Sequence, residues 1–139
     1  MVRKINNPKI IIRVRIMNEK IMVVDDEENF LELVTKVLRR KGFEVVAAQD
    51  GMECLEKIRE EKPDLILMDM MMPGMNGKET VKKIRETPGM KDVKIIFLTV
   101  VRISYIGKDV LKELNISDYV IKPFENEDLI QRIMKVLED

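Results

Sequence analysis

The chain contains no histidine and a single cysteine among its 139 residues. The first absence removes imidazole acid–base catalysis, histidine metal ligands and any phosphohistidine carried by this chain. The second removes an intrachain disulfide, which fits a reducing compartment. Cys54 itself sits in "GMECLEKI" among apolar neighbours and reads as a packed, inert thiol. No apolar run approaches the ~20 residues that span a bilayer, and the start has no signal-peptide pattern. Net charge is also missing. Lys plus Arg and Asp plus Glu both number 25, so the total does not argue for nucleic acid or an anionic membrane surface. What remains is 45% hydrophobic and 36% charged residues, the balance of a globular domain with one sizeable core.

Five short apolar runs stand out: "KIMVV" (20–24), "FEVVAA" (43–48), "DLILMD" (64–69), "VKIIFLT" (93–99) and "SDYVIK" (117–122). Each is rich in Val or Ile and bounded by charge or turn residues, as in strands covered on both faces. Helical periodicity fills the gaps. In "EENFLELVTKVLRRKG", Phe30, Leu33, Val34, Val37 and Leu38 predict one apolar stripe, with Gly42 as the stop. Further helices are predicted over 51–61 after Asp50, over 77–86 with Asn76 as N-cap, over 104–114, and in "NEDLIQRIMKVLED". Five alternations of strand and helix predict a doubly wound α/β fold, a parallel sheet with right-handed crossovers. There is no internal repeat or Ser/Gly linker. The end of the chain on a helix leaves the expectation that no output domain is attached.

In such a sheet, ligands bind beyond the carboxyl ends of the strands. The first strand ends in Asp25 and Asp26, the third in Asp69, the fourth in Thr99 and the fifth in Lys122 before Pro123. Three carboxylates, a hydroxyl and an ammonium are thereby expected in one small space. Each piece alone is weak: a strand-end Asp is usually a solvated cap, and "DDEEN" an acidic helix start. Together they carry a chemistry. Crowded carboxylates repel, raise a pKa, and are relieved by a divalent cation. An all-oxygen set selects Mg²⁺, or Mn²⁺, over Zn²⁺. A carboxylate at the edge of that metal can attack a phosphoryl group and become an acyl phosphate. Lys122 would balance its charge and Thr99 donate to an oxygen.

These residues closely resemble the receiver domains of two-component response regulators. The resemblance rests on "VVDDEENF", "LILMDMMMPGMNG", "IIFLT" and "YVIKPF", and runs from about Lys20 to Glu138. The spacing agrees: 43 residues from Asp26 to Asp69, 30 on to Thr99 and 23 on to Lys122. It implies a five-stranded parallel sheet in the order 2-1-3-4-5, a flavodoxin-like (βα)5 three-layer sandwich over residues 19–139. It implies that Asp69 is the phosphoacceptor. Asp26, Asp69 and the backbone carbonyl of Met71 would ligate Mg²⁺, with Asp25 acting mainly through water. Lys122 would contact the phosphoryl group before a cis bond to Pro123. Thr99 would be the switch hydroxyl and Tyr119 its paired aromatic, while Pro73 and Gly77 shape the loop.

The resemblance also implies a regulatory phosphoacceptor in the cytoplasm rather than an enzyme with turnover. Its donor would be a sensor histidine kinase or a phosphohistidine relay protein. The face formed by the fourth helix, fifth strand and fifth helix would signal to a protein target, with no direct nucleic-acid contact or membrane insertion, and a homodimer left open. Val100 stands where the family usually has a small residue. Met71 and Val101 hold positions that tune phosphoryl lifetime, and neither can orient an attacking water, which implies slow self-dephosphorylation. The other readings are a receiver-like module working without phosphorylation, an aspartate-based phosphatase, and an FMN carrier. The phosphatase would want D-x-D where "DDEE" stands; the FMN carrier would want a loop free of acids.

Residues 1–18 precede the first strand of the family. Ile12, Val14 and Ile16 alternate with Arg13 and Arg15, and five basic residues but no acid precede Glu19. This extension reads as an extra strand, paired at a sheet edge or with another chain, or as a flexible tail.

Overall fold

The structure is a computed structural model and describes residues 19–139. Residues 1–18, read as an extra strand or a flexible tail, lie outside the described residues. From Glu19 onward the elements are β1 (Lys20–Val24), α1 (Glu28–Arg40), β2 (Glu44–Ala48), α2 (Gly51–Glu61), β3 (Leu65–Met68), α3 (Gly77–Glu86), β4 (Lys94–Thr99), α4 (Ile103–Ile106), α5 (Lys108–Glu113), β5 (Asp118–Ile121) and α6 (Asn126–Glu138). The five strands are all parallel, in the order β2-β1-β3-β4-β5. The expected doubly wound α/β sandwich is what the chain forms.

Strand periodicity divides the core in two. Leu65 and Leu67 of β3 face one side, with Ile21, Val23, Leu38, Ile130 and Ile133. Ile66 and Met68 face the other, with Met22, Val24, Cys54, Ile58, Val81 and Ile84. All four β3 side chains are fully buried, each contributing about 1.5–3 kcal/mol by leaving water. That fixes the height at which Asp69 leaves the sheet.

The local signals act where they were read. Gly42 takes φ +97 after α1. Its N–H donates to Arg39 and that of Phe43 to Leu38, closing the helix in a Schellman turn. Asn76 and Glu79 form a reciprocal capping box at the start of α3. Two readings need correction. Leu33 is 57% exposed, and Leu31 is buried in its place. At 3.6 residues per turn Leu33 lies about 100° round the axis from Val34, outside the stripe that Leu31, Val34 and Leu38 define. The single helix expected over 104–114 is two short helices, because Gly107 adopts φ +91 between them.

At the flank formed by β2, an outermost strand of the sheet among the described residues, the Val45 carbonyl accepts from Arg39 at 3.1 Å and the Ala47 carbonyl from Lys57 at 2.7 Å. Among the described residues no helix is long and apolar enough to cross a membrane.

Candidate functional site

The carboxyl ends of β1, β3, β4 and β5 bring the expected residues together. Asp25 and Asp69 are 2% and 7% exposed, Thr99 is buried, and Asp26 lies open to solvent. Backbone pairing sets their heights: the Asp25 N–H donates to Ala48 and the Asp69 N–H to Val24. Carboxylate oxygens of Asp25, Asp26 and Asp69 lie within 4.8 Å of one another. The donors are hard oxygens, one carboxylate is open to water, and no thiol or imidazole competes, so the set suits Mg²⁺ or Mn²⁺.

Lys122 enters from the end of β5, its N–H donating to the Thr99 carbonyl at 2.9 Å. Its ammonium lies 2.6 Å from Asp25 Oδ2 and 3.8 Å from Asp69 Oδ2. The tight contact is thus with Asp25, and Asp69 keeps a looser one. The same ammonium sits 3.9 Å from the centre of the Phe30 ring, a cation–π contact. Phe124 braces that ring edge-on at 6.1 Å. Phe30 was read only as a stripe residue; its place on the first turn of α1, four residues after Asp26, is the signal that could have assigned it to the site. The Lys122–Pro123 bond is cis.

Electrostatics set Asp69 apart. Burial, and then the neighbouring Asp25 charge, push its carboxyl above the ordinary aspartate range. Lys122, the Met71 N–H and the Thr99 hydroxyl act in the opposite direction. The Met71 N–H donates to Asp69 Oδ1 at 3.2 Å, fixing its orientation. Met71 is exposed, whereas Met70 and Met72 turn into the core. Pro73 lies exposed on the same loop. Gly77 closes that loop: its N–H donates to the Met70 carbonyl at 3.0 Å. A methyl group at Gly77 would stand 2.2 Å from the Asp69 carbonyl oxygen, so only glycine allows this approach.

Beyond Thr99, Val100 is exposed and Val101 partly buried. The Val101 N–H reaches Thr99 Oγ1 at 3.4 Å, and its carbonyl accepts a hydrogen bond from the Tyr119 hydroxyl. Burial, with the Asp69 charge, raises the Tyr119 phenol above its ordinary value. Tyr119 also packs edge-on against Phe97 at 6.1 Å. A cavity of about 440 Å³ opens beside it between Arg102, Ile103, Ser104 and Ile121.

Three comparisons bear on this arrangement. The family model for the response regulator receiver domain matches residues 21–134. The chain is 40% identical over 121 residues to the alkaline phosphatase synthesis transcriptional regulatory protein PhoP of Bacillus subtilis, covering 87% of this chain and 49% of that protein. It is 38% identical over 117 residues to the DNA-binding response regulator MtrA of Mycolicibacterium smegmatis, covering 84% of this chain and 50% of that one. The chain therefore spans about half the length of these curated relatives. Among solved structures, the Vibrio cholerae chemotaxis protein CheY4 superposes with a TM-score of 0.81 at 32% identity, covering 86% of this chain and 98% of that one. The beryllofluoride-activated DrrB receiver domain superposes with a TM-score of 0.75 at 32% identity, covering 88% and 99%. With the acidic strand ends and sheet order above, the chain belongs to the receiver domains of two-component response regulators.

Proposed function

We propose that Asp69 accepts a phosphoryl group from a phosphohistidine on a sensor kinase or relay protein. The observation that carries this reading is the placement of one buried, oriented carboxylate 3.8 Å from an ammonium and within 4.8 Å of two other acids' oxygens. Asp25, Asp26, Asp69 and the Met71 carbonyl would hold Mg²⁺. The bound cation supplies positive charge for the acids and for the incoming phosphoryl oxygens.

The ionised Asp69 oxygen forms the bond to phosphorus as the phosphorus–nitrogen bond breaks, and the electron pair leaves on the donor's imidazole. Lys122 turns from Asp25 toward the new phosphoryl oxygens, which need its charge more. The Thr99 hydroxyl donates to one of them. Moving Thr99 alters its contact with the Val101 N–H, and Tyr119 is tied to the same residue's carbonyl. The phosphoryl group thus favours a second arrangement of residues around α4 and β5 by population shift. A protein partner reads that face, where Ile103, Tyr105 and Ile121 are exposed. Loss of the phosphoryl group is slow, on a scale of minutes rather than seconds, since the Met71 and Val101 side chains hold no polar group to aim a water.

The test is intact-mass measurement after incubation with Mg²⁺ and acetyl phosphate. One added phosphoryl group, absent in Asp69→Ala, is expected. No adduct on the wild type would overturn the reading, and release of many equivalents of phosphate per chain would favour a phosphatase.

A further inference from the structure

Arg85, on the last turn of α3, takes no part in the acidic site, yet its guanidinium bonds two separate segments. Nε donates to the Leu114 carbonyl at 2.9 Å and an Nη2 hydrogen to Asn115 at 2.9 Å. Nη1 donates to Val93 at 2.7 Å and Lys91 at 3.0 Å. The first two acceptors lie just past the end of α5, where helix carbonyls lack intrahelical donors and a cation is favoured. Asn115 adopts φ +57 there, and the turn closes through Asn115 N–H to Lys112 and Ile116 N–H to Leu111. Leu114 is buried in the core beneath it.

The stretch before Gly107 is held differently. Neither α4 nor α5 buries a residue or has a side-chain cap. The difference is that the far end of α5 is held by Arg85 and the buried Leu114, whereas Tyr105 of α4 is 82% exposed. The side-chain ties of the stretch before Gly107 run through Val101, to Thr99 and Tyr119. Between the two stretches stands Gly107, at a backbone angle that side chains rarely adopt.

We propose that Arg85 is a clamp and Gly107 a hinge, so that residues 100–106 rearrange while 108–116 stay fixed to α3. The clamp stands on these hydrogen bonds alone; the role of the hinge in switching rests on the phosphoacceptor reading above. A single planar donor group satisfies four carbonyls, and no other side-chain type matches that fork. The consequence is a boundary: motion that begins at Thr99 stops at residue 107 and does not reach β5 through the far end of the segment.

Hydrogen exchange read by mass spectrometry tests both parts. In the free protein, amides of Leu114, Asn115 and Ile116 are expected to exchange slowly, and Arg85→Gln to speed them on the order of tenfold or more without changing residues 100–106. Arg85→Lys, which keeps the charge but loses the fork, is expected to fall between; it serves if Arg85→Gln does not fold. Unchanged exchange at 114–116 in both variants would overturn the clamp, whatever the phosphorylation chemistry. Magnesium and beryllofluoride are then added to the wild type. A change confined to 100–106 supports the hinge; a change of equal size across 108–116 overturns it. No change anywhere, together with no phosphoryl adduct, overturns the phosphoacceptor reading and with it the hinge, and leaves the clamp result standing.

Discussion

Substituting Gly77 by alanine tests how the acidic site is built. The new methyl group would lie 2.2 Å from the Asp69 carbonyl oxygen, 2.7 Å from Met70 Cα and 2.9 Å from the Asp69 carbonyl carbon, where ordinary contact begins near 3.4 Å. All three obstacles are backbone, so no side chain can swing aside. Either the first turn of α3 or the chain at Asp69 must retreat by about 1.2 Å. Overpacking costs ~1–3 kcal/mol in general, and a rigid obstacle puts this case near 3. With a urea dependence of about 2 kcal/mol per molar, the unfolding midpoint falls by about 1.5 M. Displacement of a nucleophile by roughly 1 Å also slows its chemistry about a hundredfold. Urea unfolding and the rate of phosphoryl uptake from acetyl phosphate measure the two effects. Gly74→Ala is the control: it has φ +76 but nothing within 4 Å, so only a backbone penalty of about 1–2 kcal/mol is expected. A Gly77→Ala protein as stable and as reactive as the wild type would refute the argument.

Two further outcomes follow from the charges. The fold holds the Asp69 proton more tightly than the unfolded chain does, since burial and Asp25 raise its pKa. Its contribution to stability is full below the ordinary aspartate value and is lost as pH rises through the raised one. Asp69→Asn is therefore expected to melt above the wild type at neutral pH, with the gap closing on acidification; a gap that widens would contradict this. Magnesium at a hundredfold excess over its Kd is expected to stabilise the wild type by about 2.7 kcal/mol. Thermal melts of Asp26→Ala should show most of that gain gone, and an equal gain in the variant would exclude Asp26 as a ligand.

The sheet, and the meeting of the acids with Thr99 and Lys122 at one edge of it, were legible because they depend on local patterns. Apolar runs such as "LILM" must be covered on both faces, and parallel order then carries Asp25, Asp69, Thr99 and Lys122 to one edge. Details set by three dimensions were not legible. Leu33 fits the stripe on paper, but the angular centre of α1 depends on how it packs, and Leu31 took the place. The pattern over 104–114 predicts a single helix, whereas the backbone angle at Gly107 splits the segment. Arg85 sits in "KKIRETPG", which reads as a solvated helix end. Its acceptors lie 6 to 30 residues away in sequence, and a carbonyl leaves no trace in residue type. The closeness of Gly77 to Asp69 is hidden for the same reason: glycine in a turn reads as flexibility, not as clearance.

The Arg39 and Lys57 contacts on β2 bear on how these molecules crowd together. Neighbouring sheets template one another into fibrils through unsatisfied strand edges. Here an arriving strand would have to evict a guanidinium and an ammonium before its first rung could form, so growth of a shared sheet through that side is obstructed by two positive charges.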